Sequence, residues 1–134
     1  MTGLLVNIDV EDLERATQFY CAALGLRVGR RFEGWTELVG AAAPIYLLPK
    51  ATGTAASPKS SETRHYRRHW TPVHLDFVVT DLNASLARAM EAGATLESEI
   101  ETHAYGRIAM LADPFGNGFC LLQFTGRGYD EIAQ

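Results

Sequence analysis

Cysteine is scarce in this chain. Cys21 and Cys120 are the only two, and they form no CxxC pair. A disulfide framework needs more than this, so a reducing cytoplasm is the expected setting. Long apolar runs are also missing: none approaches the roughly 20 residues of a bilayer-spanning helix, and no membrane partner is expected. The N-terminus has no basic segment followed by an apolar one, so no signal peptide is expected. Positive charge is the minority sign, with 12 Lys and Arg against 16 Asp and Glu and a formal net charge of -4. Broad nucleic-acid or anionic-membrane binding relies on a positive surface and is not expected.

What is present describes one domain. The chain has 134 residues, 47% of them hydrophobic and 21% charged, enough to bury a sizeable core. It also repeats itself. Leu4 to Leu13 is an alternating apolar stretch that runs into Asp12 and a helix pattern. Val73 to Leu82 has the same shape. Val10, Asp12 and Leu13 match Val79, Asp81 and Leu82 at one offset, the mark of two copies of a single unit.

In the first copy, residues 4–10 read as a strand, with Leu5, Asn7 and Asp9 on one face. Asp12 is placed to cap a helix that Gly25 stops. Strands are predicted over 26–32, 35–39 and 45–48. Residues 49–63 are rich in Pro, Gly, Ala, Ser and Thr and read as a flexible connection. The basic, aromatic run from Arg64 to Trp70 reads as a solvated arm or lid edge. Alternatively it is a flap whose guanidinium groups bind an anion. Nucleic-acid binding by this one cluster is the weakest reading.

The second copy predicts a strand over 73–79, a helix from Asp81 to Gly93, and strands over 95–102, 107–111 and 119–124. A turn of backbone-bending residues spans Asp113 to Gly118. The tail carries Tyr129 and Ile132, which can pack on a neighbour. The organisation is module one over 1–48, a linker and basic arm over 49–72, module two over 73–125, and a tail over 126–134.

Several fragments, in order and in duplicate, carry a resemblance. They are Val10-Glu11-Asp12-Leu13-Glu14-Arg15 with Phe19-Tyr20 and Leu24-Gly25-Leu26, and then Val79-Thr80-Asp81-Leu82, Ala92-Gly93-Ala94 and Asp113-Pro114-Phe115-Gly116-Asn117. Together they resemble the vicinal oxygen chelate superfamily of glyoxalase, bleomycin-resistance and extradiol-dioxygenase proteins. The resemblance implies an α+β fold of two βαβββ modules whose mixed sheets curl around a cup, and a homodimer. It also implies a divalent metal held by the first and last strands of each module. Those positions are Leu5, Tyr46, His74 and Cys120, where a metal-binding member would show His, Gln or Glu. Leucine cannot coordinate, and a neutral tyrosine is a poor ligand. His74 is the only plausible remaining one, so no metal or other cofactor is expected.

Alternation puts His74 and Asp76 on one strand face, matched by Asn7 and Asp9 in the first copy. An imidazole beside a carboxylate can act as general acid or base, or can simply be a hydrogen-bonded relic. Cys120 reads as a small core residue rather than a nucleophile. Tyr46 lines the pocket or packs. Arg107 clamps an anionic ligand or lies on the surface. Trp35 and Trp70 stack on a planar ligand or on protein. The expected ligand-binding set is Asn7, Tyr46, His74, Asp76, Arg107 and Cys120.

The leading expectation is a metal-independent binder of an apolar or aromatic small molecule, like the drug-sequestering branch. The alternative is a lyase, isomerase or dioxygenase-like enzyme, using either a rebuilt metal site around His74 or acid/base chemistry by His74 and Asp76. A third is a domain that only associates with a protein partner through the basic arm and the tail.

Overall fold

A computed structural model describes residues 1–134. The chain divides into two compact modules, 1–67 and 68–134, each a βαβββ unit with its own sheet. The architecture is the α+β glyoxalase-like fold.

In the first module, β1 (Val6–Val10) leads to α1 (Leu13–Leu24), then β2 (Arg27–Phe32), β3 (Trp35–Val39) and β4 (Ile45–Pro49). The sheet order is β1-β4-β3-β2, with β1 parallel to β4 and the rest antiparallel. The predicted helix signals act as expected. The Asp12 carboxylate accepts from the Arg15 amide at 3.0 Å, and Gly25 ends the helix in the left-handed region at φ 66°. Ala16, Phe19, Tyr20 and Ala23 bury one stripe of α1, while Val10, Leu38, Ile45 and Leu47 supply the buried side of the sheet.

The second module repeats the plan. It runs β5 (Leu75–Val78), α2 (Leu82–Ala92), β6 (Thr95–Leu96), β7 (Glu101–His103), β8 (Gly106–Ala112) and β9 (Gly118–Phe124). The order is β5-β9-β8-β6, with β7 also on β8 and β5 parallel to β9. Asp81 caps α2 through the Ala84 amide at 3.1 Å. Asp113 organises the predicted turn: its Oδ1 accepts from the Phe115 and Asn117 amides and its Oδ2 from the Asn117 side chain.

Three expectations need correction. The strand predicted over 95–102 is two short ones. Leu96 faces Leu111 but Glu101 faces Ile108, so five steps on one side match three on the other. The ladder bulges between them. The stretch read as a flexible connection folds back on itself, with Ala55 bridged to Thr63, the Gly53 amide donating to the Arg64 carbonyl and the Arg64 amide to the Thr54 carbonyl, each at 2.8 Å. Its turn-forming residues make turns rather than disorder. The tail forms a one-turn helix over Gly128–Glu131, and Tyr129 packs on Tyr105 and Phe124 of the same module. No helix is long and apolar enough to cross a membrane.

Gly106 shows how tightly β8 meets β9. A Cβ there would come 2.1 Å from the Gln123 carbonyl oxygen, at a φ of +154°. Gly34 sits at φ +83° with nothing within 4 Å. Gly106→Ala is therefore expected to cost about 2–3 kcal/mol of stability, because backbone must move. Gly34→Ala is expected to cost only about 1 kcal/mol, for the left-handed conformation alone. Urea unfolding of both variants measures the difference.

Candidate functional site

Each sheet has one face covered by its helix and one turned away from it, here called the open face. Strand pairing decides which side chains reach the open face, since directly opposed residues point the same way.

In the first module Tyr46 stands opposite Asn7 on one side and opposite Glu37 on the other. Glu37 is buried, yet fully partnered. Its carboxylate accepts from the Tyr46 hydroxyl at 2.8 Å, from Arg30 Nη2 at 2.7 Å and Nε at 3.1 Å, and from the Arg30 amide at 3.0 Å. Arg30 Nη2 also donates to the Tyr46 oxygen at 2.9 Å. The local backbone makes this possible. The register of β2 on β3 shifts between Val28 and Arg31, which turns the Arg30 amide toward the carboxylate. Gly29 leaves the space, because a Cβ there would lie 2.6 Å from Glu37 Oε1. The side-chain bond from Arg30 above all, then its amide and the Tyr46 hydroxyl, hold the Glu37 carboxyl down at about 2. Phe32 and Trp35 stack beside them at 3.8 Å, with Trp35 5.5 Å from Tyr46. Asn7 is exposed, and Asp9 binds Arg64 at 2.7 Å.

In the second module Asp76 stands opposite Cys120, and Cys120 opposite Met110. His74 lies two residues before Asp76 and just ahead of the first ladder pair. Its Nε2 is 3.3 Å from Asp76 Oδ1. The donor atoms of His74, Asp76 and Cys120 all lie within 4.8 Å of one another. Burial first, then the Asp76 charge and hydrogen bond, push the Cys120 thiol up to about 11. It is protonated at neutral pH and a poor nucleophile. His74 and Cys120 border a hollow of about 140 Å³ that Trp70, Thr71 and Met110 also wall, with Arg68 and Glu97 at its edge. Trp70 is 81% exposed.

The four positions that the family resemblance assigns to a metal do not fit one. Leu5 is an exposed alkyl chain, and the Tyr46 hydroxyl is engaged by both Glu37 and Arg30. Only His74 and Cys120 keep donor atoms for an ion.

A family profile described as a glyoxalase-like domain matches residues 5–122. The chain belongs to this glyoxalase-like family. It is 31% identical over 128 residues to the anthracycline biosynthesis protein DnrV of Streptomyces peucetius, covering 96% of this chain and 43% of that one. It is 29% identical over 116 residues to a catechol-2,3-dioxygenase of Bacillus subtilis, covering 84% and 38%. The chain thus spans less than half the length of these curated relatives. Among solved structures, the fosfomycin resistance protein FosX of Listeria monocytogenes superposes with a TM-score of 0.74 at 16% identity, covering 99% of both chains. A glyoxalase/bleomycin resistance protein of Albidiferax ferrireducens T118 gives 0.64 at 23% identity, covering 90% of this chain and 96% of that one. Both likenesses are of fold.

Within this glyoxalase-like chain two site expectations are revised. Arg107, read as an anion clamp or a surface residue, shares parity on β8 with the buried Ala109 and Leu111 and donates to Asn83 at the start of α2 at 3.1 Å. It lies on the helix side. The basic run is docked rather than a loose arm. Arg64 is tied to Asp9, Arg68 to Glu97 at 2.6 Å, and His69 to Asn117 at 2.9 Å. Gly118 makes room for the Arg68 guanidinium, which a Cβ would meet at 2.5 Å. Arg64 and Arg68 are thereby spent on carboxylates.

Glu37 and Arg30 were not singled out in the sequence. The available signal was Glu37 on a short strand between Trp35 and the apolar pair Leu38-Val39.

The Glu37 carboxyl is depressed in the folded chain, so its stabilisation is complete above about 4.5 and is lost as pH falls toward about 2. Glu37→Gln is expected to flatten the pH dependence of urea unfolding across that window, leaving the share of Glu97, whose carboxyl Arg68 also lowers. Tyr46→Phe is expected to raise the Glu37 titration point, read by carboxyl carbon NMR.

Proposed function

We propose that this glyoxalase-like protein binds a small apolar or aromatic molecule on the open face of its second module, without the four-ligand metal of the wider family. The observation that carries this reading is the hollow beside Trp70, Met110 and His74. Its volume of about 140 Å³ is that of a single ring, since an apolar cavity of about 150 Å³ accommodates benzene. Larger ligands would insert one ring and leave the remainder outside. The wall combines an exposed indole and a thioether, which suit a planar apolar partner, with His74, itself in contact with Asp76, to orient one polar group. Two relatives are named for anthracycline biosynthesis and for a catechol dioxygenase, and both compounds are aromatic. That supports the ligand class.

A second reading is favoured by the His74–Asp76 contact at 3.3 Å on the edge of the hollow. An imidazole oriented by a carboxylate can move a proton on the bound molecule as general acid or base. Turnover that survives chelator but is abolished in His74→Ala is its signature.

The binding reading is tested through Trp70. Trp35→Phe leaves Trp70 as the sole tryptophan, because the chain has two. Titration with catechol and naphthol is expected to quench its fluorescence saturably. In the otherwise native chain, Trp70→Ala is expected to weaken binding measured by calorimetry about three- to tenfold, the worth of one aromatic contact. Linear, non-saturating quenching like that of free tryptophan would count against binding at this face.

A further inference from the structure

On the reading that the hollow binds an aromatic molecule, we infer that Glu97 sets the charge class of that ligand. By occupying Arg68 it makes the hollow admit uncharged rings that donate a hydrogen bond, phenols above all, and reject ring carboxylates. A guanidinium at the rim of an apolar hollow is the group expected to hold a carboxylate. Here four hydrogen bonds already occupy it. Arg68 donates to Glu97 through Nε at 2.6 Å and through Nη2 at 2.9 Å. Its Nη1 goes to the His69 and Gly116 carbonyls, the latter at 3.3 Å. Gly118 seats the guanidinium against β9, where a Cβ would meet it at 2.5 Å. Bonding from Arg68 above all holds the Glu97 carboxyl below the usual carboxylate range, so it is ionised at neutral pH.

What the wall keeps is acceptors. Each Glu97 oxygen takes one Arg68 bond and has a lone pair to spare. Thr71 spends its hydroxyl proton on the Val73 carbonyl at 2.7 Å, leaving an oxygen that accepts. The Cys120 thiol is hydrogen-bonded with Asp76. His74 sets Nε2 at 3.3 Å from Asp76 Oδ1, which favours the proton on that nitrogen and leaves Nδ1 as an acceptor. The charges agree: Arg68 and Glu97 cancel, and Asp76 behind His74 makes the balance negative. A ring carboxylate would be desolvated beside Glu97 and near Asp76 with no free cation to meet it. A phenol brings the proton that these acceptors lack and adds no charge.

Amide chemical-shift titrations of the full chain at pH 8, where free imidazole is uncharged, compare three single rings: phenol, anisole and benzoate. Phenol is expected to give saturable shifts at His74, Met110 and Cys120. Anisole has no donor proton and is expected to bind about three- to tenfold more weakly, the worth of one hydrogen bond. Benzoate is expected to give no saturable shifts. His74→Phe keeps a planar side chain but removes the acceptor; it is expected to bring the phenol-to-anisole ratio down to about one. Glu97→Ala opens the Arg68 fork, while the His69–Asn117 contact at 2.9 Å keeps the segment docked. That variant is expected to gain saturable benzoate binding. Anisole matching phenol, benzoate binding to the native chain, an unchanged ratio in His74→Phe, or benzoate still rejected by Glu97→Ala would each overturn the charge class and leave aromatic binding standing. Silence from all three rings would overturn both. If Glu97→Ala fails to fold, the native selectivity and His74→Phe decide.

Discussion

Parallel pairing of the first and last strand of each module is the constraint on which the rest of this structure depends. Strands separated by a helix and two further strands in the first module, and by a helix and three in the second, are brought edge to edge, β1 on β4 and β5 on β9. The pairing fixes register, and register fixes which side chains meet. Asn7 faces Tyr46, and Asp76 faces Cys120. A slip of one residue would turn every one of these side chains to the other side of its sheet. Helix packing reinforces the choice, since Leu47 and Leu121 are fully buried on the helix side.

The same scaffold carries different chemistry in its two copies. In the first module, the open face is closed electrostatically. Glu37 sits under Arg30 and Tyr46, its acceptors are filled, and two stacked rings lie beside it. Little donor capacity remains there for a ligand. In the second module the equivalent face is less completely satisfied. His74 and Met110 are exposed, Trp70 stands free of the surface, and the hollow lies among them. The Arg68–Glu97 pair pins the entry segment against that sheet. The duplicated unit has thus separated into a module that is internally paired and a module with groups to spare.

Much of this was legible because it is local. Asp12 and Asp81 cap their helices through amides three residues on, and Asp113 builds its turn within four residues, so short stretches suffice to read them. The alternation that joins His74 with Asp76 is equally local. What escaped depends on distant partners. Glu37 acquires its meaning from a bulge at Gly29 and Arg30 and from Tyr46. The basic run is docked only because Asp9 and Glu97 receive it. Arg107 was left open between an anion clamp and a surface residue, because its face follows from Ala109 and Leu111, whose burial requires the finished sheet.

Amide chemical-shift mapping during titration with a small aromatic such as catechol tests the account most directly, because it localises binding without assuming a reaction. The account predicts saturable shifts concentrated at 68–74, Glu97, Met110 and 118–120, the segments that wall the hollow. Shifts centred on Phe32 and Trp35 instead, or none at saturating concentration, would contradict it.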